Sequence, residues 1–227
     1  WITVEEMPTG EISAGAGIGT NGGSFAFSIK ENNWLGKGMQ VSANADVSQD
    51  SLRGSISFTD TNYNFTGKSL TYNLENIKND KPDSGYENSL IGAGIGVSYE
   101  KFKDIYFAPG VKFSIDDLST DETASELLKK QSGTTTDLMF DYSLFTDKRD
   151  RTFMPTSGNL TSFYQELPLY AESVYVKNSF SSSHYKEFSD DMIGALKFTA
   201  TAINGLNDDD VKISKRLGLS NRKLRGF

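Results

Sequence analysis

The chain has 227 residues, with 23 lysines and arginines against 30 aspartates and glutamates, no cysteine and one histidine. This length suggests one domain or at most two, and the absence of cysteine excludes a disulfide framework, a cysteine-ligated zinc and a thiol nucleophile. A net charge of −7 argues against a general nucleic-acid binder, whose surface would be basic. No stretch approaches the roughly 18 to 20 continuous apolar residues of a membrane helix, although that test detects only helices.

Apolar residues alternate with small or polar ones along most of the chain, a period of two that is typical of β-strands. Taken in chain order, the candidate strands are 12–19, 24–30, 39–48, 50–60, 69–78, 91–100, 105–116, 137–144, 158–167, 174–187 and 192–203. The segments 158–167 and 174–187 alternate poorly. A short helix is predicted in the insertion 119–133, where Ser119 and Glu122 form a capping box ahead of apolar residues. The pattern predicts an all-β, antiparallel fold of eleven strands.

The environment of these strands is not decided by alternation alone, because the strands of soluble β-sandwiches alternate too. Most segments are 9 to 13 residues long, nearer to the about 9 to 11 residues of a tilted membrane strand than to the about 5 to 6 of a soluble one. Charges fall on the polar face, and the apolar face of the well-patterned strands carries none. The charged positions are Lys30, Asp46, Arg53, Glu75, Glu100, Lys112, Asp116, Asp137, Asp141 and Lys197. A transmembrane β-barrel is therefore predicted, since a lipid-facing Lys or Arg would cost roughly 2 to 4 kcal/mol.

The connections between strands alternate in character, as expected if they lie on two sides of a membrane. One set holds the long insertion 119–133, and the other set is rich in aromatic residues, as in a girdle at a membrane interface. These aromatic residues are Trp34, Tyr63, Phe65, Phe102, Tyr106, Phe153 and Phe188. Packing in a soluble core is the alternative for each of them singly, and the set as a whole favours the girdle.

Two sequence motifs resemble ligand sites. Gly17–Gly22 matches G-x-G-x-x-G, but the following residues keep the period of two, so no helix is predicted to bind a phosphate, and 20–23 is interpreted as a hairpin turn. The acidic pairs at 116–117 and 190–191 and the run 208–210 lack an accompanying histidine or cysteine. Calcium on loop carboxylates remains an alternative; we predict no catalytic site, no metal site and no cofactor.

The last 17 residues hold six basic side chains and no acidic one. They are Lys212, Lys215, Arg216, Arg222, Lys223 and Arg225. Two interpretations stay open: a solvated basic tail, or a basic loop that folds back onto the carboxylates of the strand faces. Because the chain lacks an initiator methionine and ends in this basic stretch, we expect it to be part of a longer protein.

Five segments stand in the order and spacing of one known family. They are Val4–Gly10, Gly10–Gly19, Asn33–Gly38, Asp150–Arg151 with Phe153–Gly158, and Leu224–Phe227. Through them the chain resembles, over essentially its whole length, the BamA family, the central subunits of the bacterial outer-membrane β-barrel assembly machinery. Leu224 stands where valine is common in the family, which is a mild departure.

The resemblance implies both an architecture and a function. It implies that residues 1–8 end the last POTRA domain and its linker, and that 9–227 are strands one to eleven of a sixteen-stranded barrel, cut in the sixth extracellular loop. The implied function is insertion of β-barrel proteins into the outer membrane by strand templating at a lateral gate, without enzymatic activity. The implied partners are nascent outer-membrane β-barrel proteins, accessory Bam lipoproteins and outer-membrane lipid, with no nucleic acid.

Two groups of site residues follow from the resemblance. The loop-six motif corresponds to Leu224, Arg225, Gly226 and Phe227. The lateral-gate strand corresponds to Glu11, Ile12, Ser13, Ala14, Gly15, Ala16, Gly17, Ile18 and Gly19. Each glycine in this strand weakens it by about 0.5 to 1 kcal/mol relative to alanine, and a weakly held edge still presents backbone groups to another strand. Alternatively, these glycines make room for a folded-in loop.

Other function classes are weighed against this one. A related translocator, such as the translocation and assembly subunit TamA or a two-partner secretion transporter, differs in its upstream periplasmic domains. A passive porin predicts ion conductance but does not explain the loop-tip motif. An outer-membrane phospholipase or protease needs histidine paired with serine or aspartate, and the single His184 gives that interpretation poor support.

Overall fold

The computed structural model describes residues 8–19, 22–172, 174–189, 191–206 and 210–217. Within these ranges the chain forms eleven β-strands and one short α-helix. The strands are β1 (Gly10–Gly19), β2 (Gly22–Trp34), β3 (Met39–Ser48), β4 (Ser51–Asp60), β5 (Ser69–Lys81), β6 (Tyr86–Phe102), β7 (Ile105–Thr120), β8 (Gly133–Asp147), β9 (Gly158–Ala171), β10 (Tyr175–Ser189) and β11 (Met192–Gly205). The helix α1 is Glu126–Lys129, and single 3-10 turns lie at Tyr63–Phe65, Pro82–Ser84 and Ile213–Lys215.

All eleven strands belong to one antiparallel sheet whose order follows the sequence from β1 to β11. The predicted all-β fold and its eleven strands are confirmed. Each strand pairs with its sequence neighbours, so β1 and β11 are the edge strands among the described residues. No helix in the described part of the chain is long and apolar enough to cross a membrane.

Two compact units divide the chain. The first takes in β1 to β5, β6 up to Val97, and Phe113–Thr135; the second takes in Ser98–Lys112 and the described residues from Thr136 onward. In the first unit, polar side chains hydrogen bond across neighbouring strands, as where Ser28 donates to Asn44 at 2.7 Å. In the second unit, charged and aromatic side chains of β7 to β10 make the corresponding cross-strand contacts.

Several strands extend beyond the alternating segments that predicted them. β6 covers Tyr86–Phe102, and β9 and β10 form in full although their sequences alternate poorly. Polar side chains of β9 and β10 pair with one another, as Thr161 does with Ser182 at 3.0 Å between hydroxyl oxygens. The hydrogen-bonded ladder therefore continues where the hydrophobic pattern has already ended.

The position of the helix cap differs from the prediction. Ser119 lies within β7, and the side chain of Ser125 caps α1 by accepting a hydrogen bond from the Leu128 amide at 3.3 Å. The predicted capping box at Ser119 and Glu122 is therefore wrong. Its place is taken by Asp121, which accepts hydrogen bonds from the amide of Thr123 at 2.7 Å and its hydroxyl at 2.6 Å. This local turn ends the strand two residues later than the capping box requires.

Burial is inverted relative to a soluble protein. Of the described residues, only a few hydrophobic side chains are buried: Leu70, Leu118, Ala124, Met139 and Tyr175. Asp116, Asp137 and Glu166 are buried as well, whereas large apolar side chains of many strands are exposed. Examples are Ile12, Ile18, Ile56, Leu74, Ile91 and Leu196. A surface of contiguous exposed aliphatic side chains is typical of contact with lipid rather than water.

The aromatic residues at the predicted periplasmic connections divide between the two faces of the sheet. Phe188 lies on the apolar face, and its ring occupies the space in which a Cβ at Gly194 would stand. Tyr106 instead stacks on Phe145, with ring centroids 5.1 Å apart. Tyr106 shares the face of Lys112, because the two positions differ by an even number along β7. Tyr106 is thus not part of a lipid-facing girdle.

Candidate functional site: the first strand and the polar face

The first strand is held on one side only. β1 pairs residue for residue with β2, from Gly10 opposite Glu31 to Gly19 opposite Gly22. Its glycines face small partners, Gly15 opposite Ala26 and Gly17 opposite Ser24. Because cross-strand side-chain pairs supply much of a sheet's stability, this pairing is weaker than one between larger side chains. Ile18 is 95% exposed.

The start of β1 is fastened to β2 by three contacts. The Thr9 hydroxyl donates a hydrogen bond to the Glu31 carboxylate. The Thr9 carbonyl accepts hydrogen bonds from Asn32, from its side-chain amide at 3.0 Å and from its backbone N–H at 3.3 Å. At the other end β1 stops at Gly19 and β2 begins at Gly22, so the G-x-G-x-x-G segment joins two strands and no helix follows it.

A charged cluster occupies the polar face of β7, β8 and β9. Lys112 Nζ lies 3.5 Å from Asp141 Oδ2 and 3.9 Å from Glu166 Oε2, and it donates to the Tyr164 hydroxyl at 2.7 Å. Glu166 accepts hydrogen bonds from Tyr164 at 2.6 Å and from Tyr175 at 2.8 Å. A buried carboxylate is stabilised only when such partners are present. These contacts hold the three strands in register on the side away from lipid.

The first part of the basic segment folds onto the same face. Lys215 Nζ lies 3.1 Å from Asp137 Oδ2, and the side chains of Lys215 and Asp137 are 11% and 2% exposed. Arg216 Nε donates to the Val211 carbonyl at 2.9 Å, which closes the turn that presents Lys215. Of the two interpretations left open for this segment, the described residues 210–217 fit the one in which it packs against strand carboxylates.

The turn between β8 and β9 is organised by Asp150. Its Oδ1 accepts the amides of Thr156 at 3.0 Å and Ser157 at 3.1 Å, and its Oδ2 accepts the Thr156 hydroxyl at 2.9 Å. The Ser157 amide is the main cause that lowers the pKa of Asp150, and Thr156 and the charge of Arg151 act in the same direction. The conformation of this turn accounts for the sequence Asp150–Gly158 that the family resemblance singled out.

The acidic pairs do not gather into a site. Asp116 is buried and accepts a hydrogen bond from Asn88 at 3.3 Å, whereas Asp117 accepts one from the Thr134 hydroxyl at 2.6 Å. Their side chains point to opposite faces of β7, as adjacent strand positions must. Within the described ranges, no group of three or more histidine or acidic side chains is placed to hold a metal ion. His184 is exposed, and its cross-strand partners are Asn159 and Leu196.

Several predicted site residues lie outside the described residues. These are the loop-six motif Leu224, Arg225, Gly226 and Phe227, and the start of the junction at 1–7. The described candidate site is therefore β1 with its contacts to β2. The cluster around Glu166 was missed by sequence reasoning, although the weak alternation of β9 was a signal that polar side chains occupy both faces.

Comparison with known proteins places this geometry in a family. A sequence model described as the Omp85 superfamily domain matches residues 33–227, most of the chain. The chain belongs to the Omp85 superfamily. It is 27% identical over 237 aligned residues to the outer membrane protein assembly factor BamA of Neorickettsia risticii (strain Illinois), an alignment that covers 100% of this chain and 31% of that protein. The chain thus spans about a third of the length of this curated relative.

A solved structure shares the fold. The crystal structure of BamA from Haemophilus ducreyi lacking POTRA domains 1-3 superposes with a TM-score of 0.76 at 20% identity, over 92% of this chain and 44% of that one. Omp85 proteins are outer-membrane β-barrels, so the predicted location in the bacterial outer membrane is confirmed. The Omp85 superfamily comprises membrane assembly factors rather than enzymes, in agreement with the prediction of a non-enzymatic protein.

Proposed function

We propose that this chain forms part of the barrel of an assembly factor that inserts β-barrel proteins into the bacterial outer membrane. The similarity to BamA of Neorickettsia risticii, described as an outer membrane protein assembly factor, supports this proposal. The observation that carries it is the weakly paired, one-sided edge of β1. In this proposal Glu11–Gly19 is the lateral gate at which an incoming strand pairs.

The proposed mechanism is strand addition to the free edge of β1. An edge strand offers backbone N–H and C=O groups in the spacing of a ladder, so a strand of any sequence can pair with it. The small side chains along β1 give few cross-strand contacts, which keeps such a pairing reversible. Alternate residues Ala14, Ala16 and Ile18 share the face of Phe25 and Phe27 of β2, so they give the incoming strand its lipid-facing side.

Crosslinking tests the proposed gate. In the full-length protein without other cysteines, Ser13→Cys and Ala16→Cys are expected to form adducts with a cysteine in the C-terminal strand of a nascent barrel protein. Val41→Cys and Ile95→Cys, in the interior strands β3 and β6, are the controls. Adducts from β1 no more abundant than those from the controls would contradict the proposal.

We further propose that the basic loop acts as a support inside the barrel, with the motif Leu224, Arg225, Gly226 and Phe227 at its tip. The contact of Lys215 with Asp137 supports a path of the loop along the polar face. Arg225→Ala is expected to lower the insertion of substrate barrels and the heat-modifiability of the full-length protein on gels. Arg222→Ala removes the same charge outside the motif and is the control. Wild-type insertion and wild-type heat-modifiability in Arg225→Ala would refute this role.

The remaining domain and partner assignments follow from the same proposal. Residues 1–8 are proposed to end a POTRA domain and its linker, and 9–227 to be strands one to eleven of a barrel cut in its sixth extracellular loop. Nascent barrel proteins, accessory Bam lipoproteins and outer-membrane lipid are the proposed partners. A TamA-type or two-partner secretion translocator is the alternative within the superfamily, and the type of upstream periplasmic domains distinguishes it. A passive porin would instead conduct ions steadily and need no lipoprotein partners.

A further inference from the structure

The apolar face of the second unit carries a row of polar side chains. Tyr142, Gln165 and Asn178 are successive cross-strand partners on β8, β9 and β10, so all three lie on one face of the sheet. This is the apolar face, because the next row along the strands is Leu144, Phe163 and Phe180. Amides on a lipid-facing surface are costly, and polar groups at membrane depth mark functional positions.

The row forms a directed chain of hydrogen bonds. The Tyr142 hydroxyl donates to Gln165 Oε1 at 2.9 Å, and Gln165 Nε2 donates to Asn178 Oδ1 at 2.6 Å. Among the described residues, the amide N–H groups of Asn178 have no acceptor. The chain therefore ends in two free donors beside an oxygen that retains an unused lone pair. Asn178 is half-buried, and lipid tails offer nothing to these groups.

The surroundings of Asn178 allow another chain to approach closely. Its cross-strand partner on β11 is Ala202, whose small side chain is exposed. Phe180 and Phe198, with ring centroids 6.2 Å apart, flank the position along the strands. An amide beside a small residue and a pair of aromatic rings combines the two features of packed membrane interfaces, close backbone approach and a polar contact that fixes the register.

We propose that this face is a contact surface for a second copy of the same chain, with Asn178 near the two-fold axis. All copies share one orientation in the membrane, so a two-fold axis along the membrane normal brings each residue to its counterpart at the same depth. An asparagine amide is self-complementary: Nδ2 of one copy donates to Oδ1 of the other, and the reverse. A partner of different sequence has no such built-in match of depth and hydrogen-bonding groups.

Disulfide formation tests this contact without relying on the proposed gate. In the full-length protein without other cysteines, in outer-membrane vesicles, Asn178→Cys is expected to give an oxidised adduct of twice the protein mass. Leu74→Cys, on the apolar face of β5 and 57% exposed, is the matched control and is expected to stay monomeric. No adduct from Asn178→Cys, or an adduct with a protein of another mass, would overturn the proposal.

A second variant measures the hydrogen bond itself. Asn178→Leu keeps a side chain suited to lipid, so the barrel is expected to fold with normal heat-modifiability. Its dimer, measured by energy transfer between labelled copies in lipid vesicles, is expected to dissociate about three- to twentyfold more readily, the range for polar contacts between membrane segments. Energy transfer equal to that of the unmodified protein would count against a role for Asn178.

Discussion

Gly158 begins β9 in a backbone conformation that other residues rarely adopt, with φ of 94°. A Cβ at this position would also collide with the carbonyl group of Lys148 across the turn. Two separate effects therefore require glycine here, the positive φ and the close approach of the backbone. Gly133, at the start of β8, has φ of 123° but open space around it, so it shares only the first effect.

Comparison of the two glycines separates backbone strain from collision. Gly158→Ala is expected to lower the free energy of unfolding by about 1 to 3 kcal/mol more than Gly133→Ala, which is the usual cost of overpacking. Guanidinium unfolding of the full-length barrel in lipid vesicles, followed by tryptophan fluorescence, measures both values. Equal losses in the two variants would show that the Lys148 carbonyl moves aside at no cost.

At the scale of elements, the segment 210–217 is attached to β8 chiefly through one buried ion pair. Asp137 is among the most buried residues of the described chain, and Lys215 is its printed charge partner at 3.1 Å. Removing one member of a buried pair leaves an uncompensated charge, typically at a cost of about 3 to 5 kcal/mol, whereas replacing both members by apolar residues is often neutral. The segment is thus expected to detach when either member alone is lost.

Proteolysis in the full-length protein reports this attachment. Lys215→Met is expected to speed trypsin cleavage after Arg216, because the turn at Ile213–Lys215 leaves the polar face of β8. The double variant Lys215→Met with Asp137→Leu restores an uncharged, packed contact and is expected to return cleavage toward the original rate. Unchanged cleavage in the single variant would mean that other contacts suffice to hold the segment.

The elements differ in how far their sequences reveal them. β1 and β3 alternate strictly and are predicted from sequence, because each presents one face to lipid and the other to polar groups. β9 and β10 alternate poorly because Gln165 and Asn178 stand on the apolar face, where they pair with each other rather than with lipid. The site was predictable only as far as β1 itself. Long-range contacts such as Lys112 with Glu166, which are 54 positions apart in the sequence, have no local signal.

At the scale of the whole molecule, polarity decides which residues tolerate charge. Ile56 is 55% exposed in the middle of β4, on the face of Ala43 and Leu74. Its neighbour Ser57 lies on the opposite face, together with Arg53. Adjacent positions in one strand therefore have opposite requirements, because one faces lipid and the other faces polar groups.

An arginine scan of these neighbours tests the assignment of the faces. Ile56→Arg is expected to destabilise the barrel by roughly 2 to 4 kcal/mol, the cost of a cation near the bilayer midplane. Ser57→Arg, on the face that already holds Arg53, is expected to have little effect. Guanidinium unfolding in vesicles distinguishes them, and a larger loss for Ser57→Arg would reverse the faces. The poor burial of hydrophobic residues makes lipid, rather than a protein core, the main apolar environment of this chain.

The fastening of β1 also determines which of its two edges is permanent. Thr9 ties one end of the strand to Glu31 and Asn32, and a connection of two residues between Gly19 and Gly22 ties the other. β1 and β2 thus form a ribbon closed at both ends. A strand fixed in this way keeps one neighbour while it exchanges the other, and its register is preserved through each exchange. The glycines then soften the middle of the ribbon without releasing it, so each round of pairing starts from the same alignment.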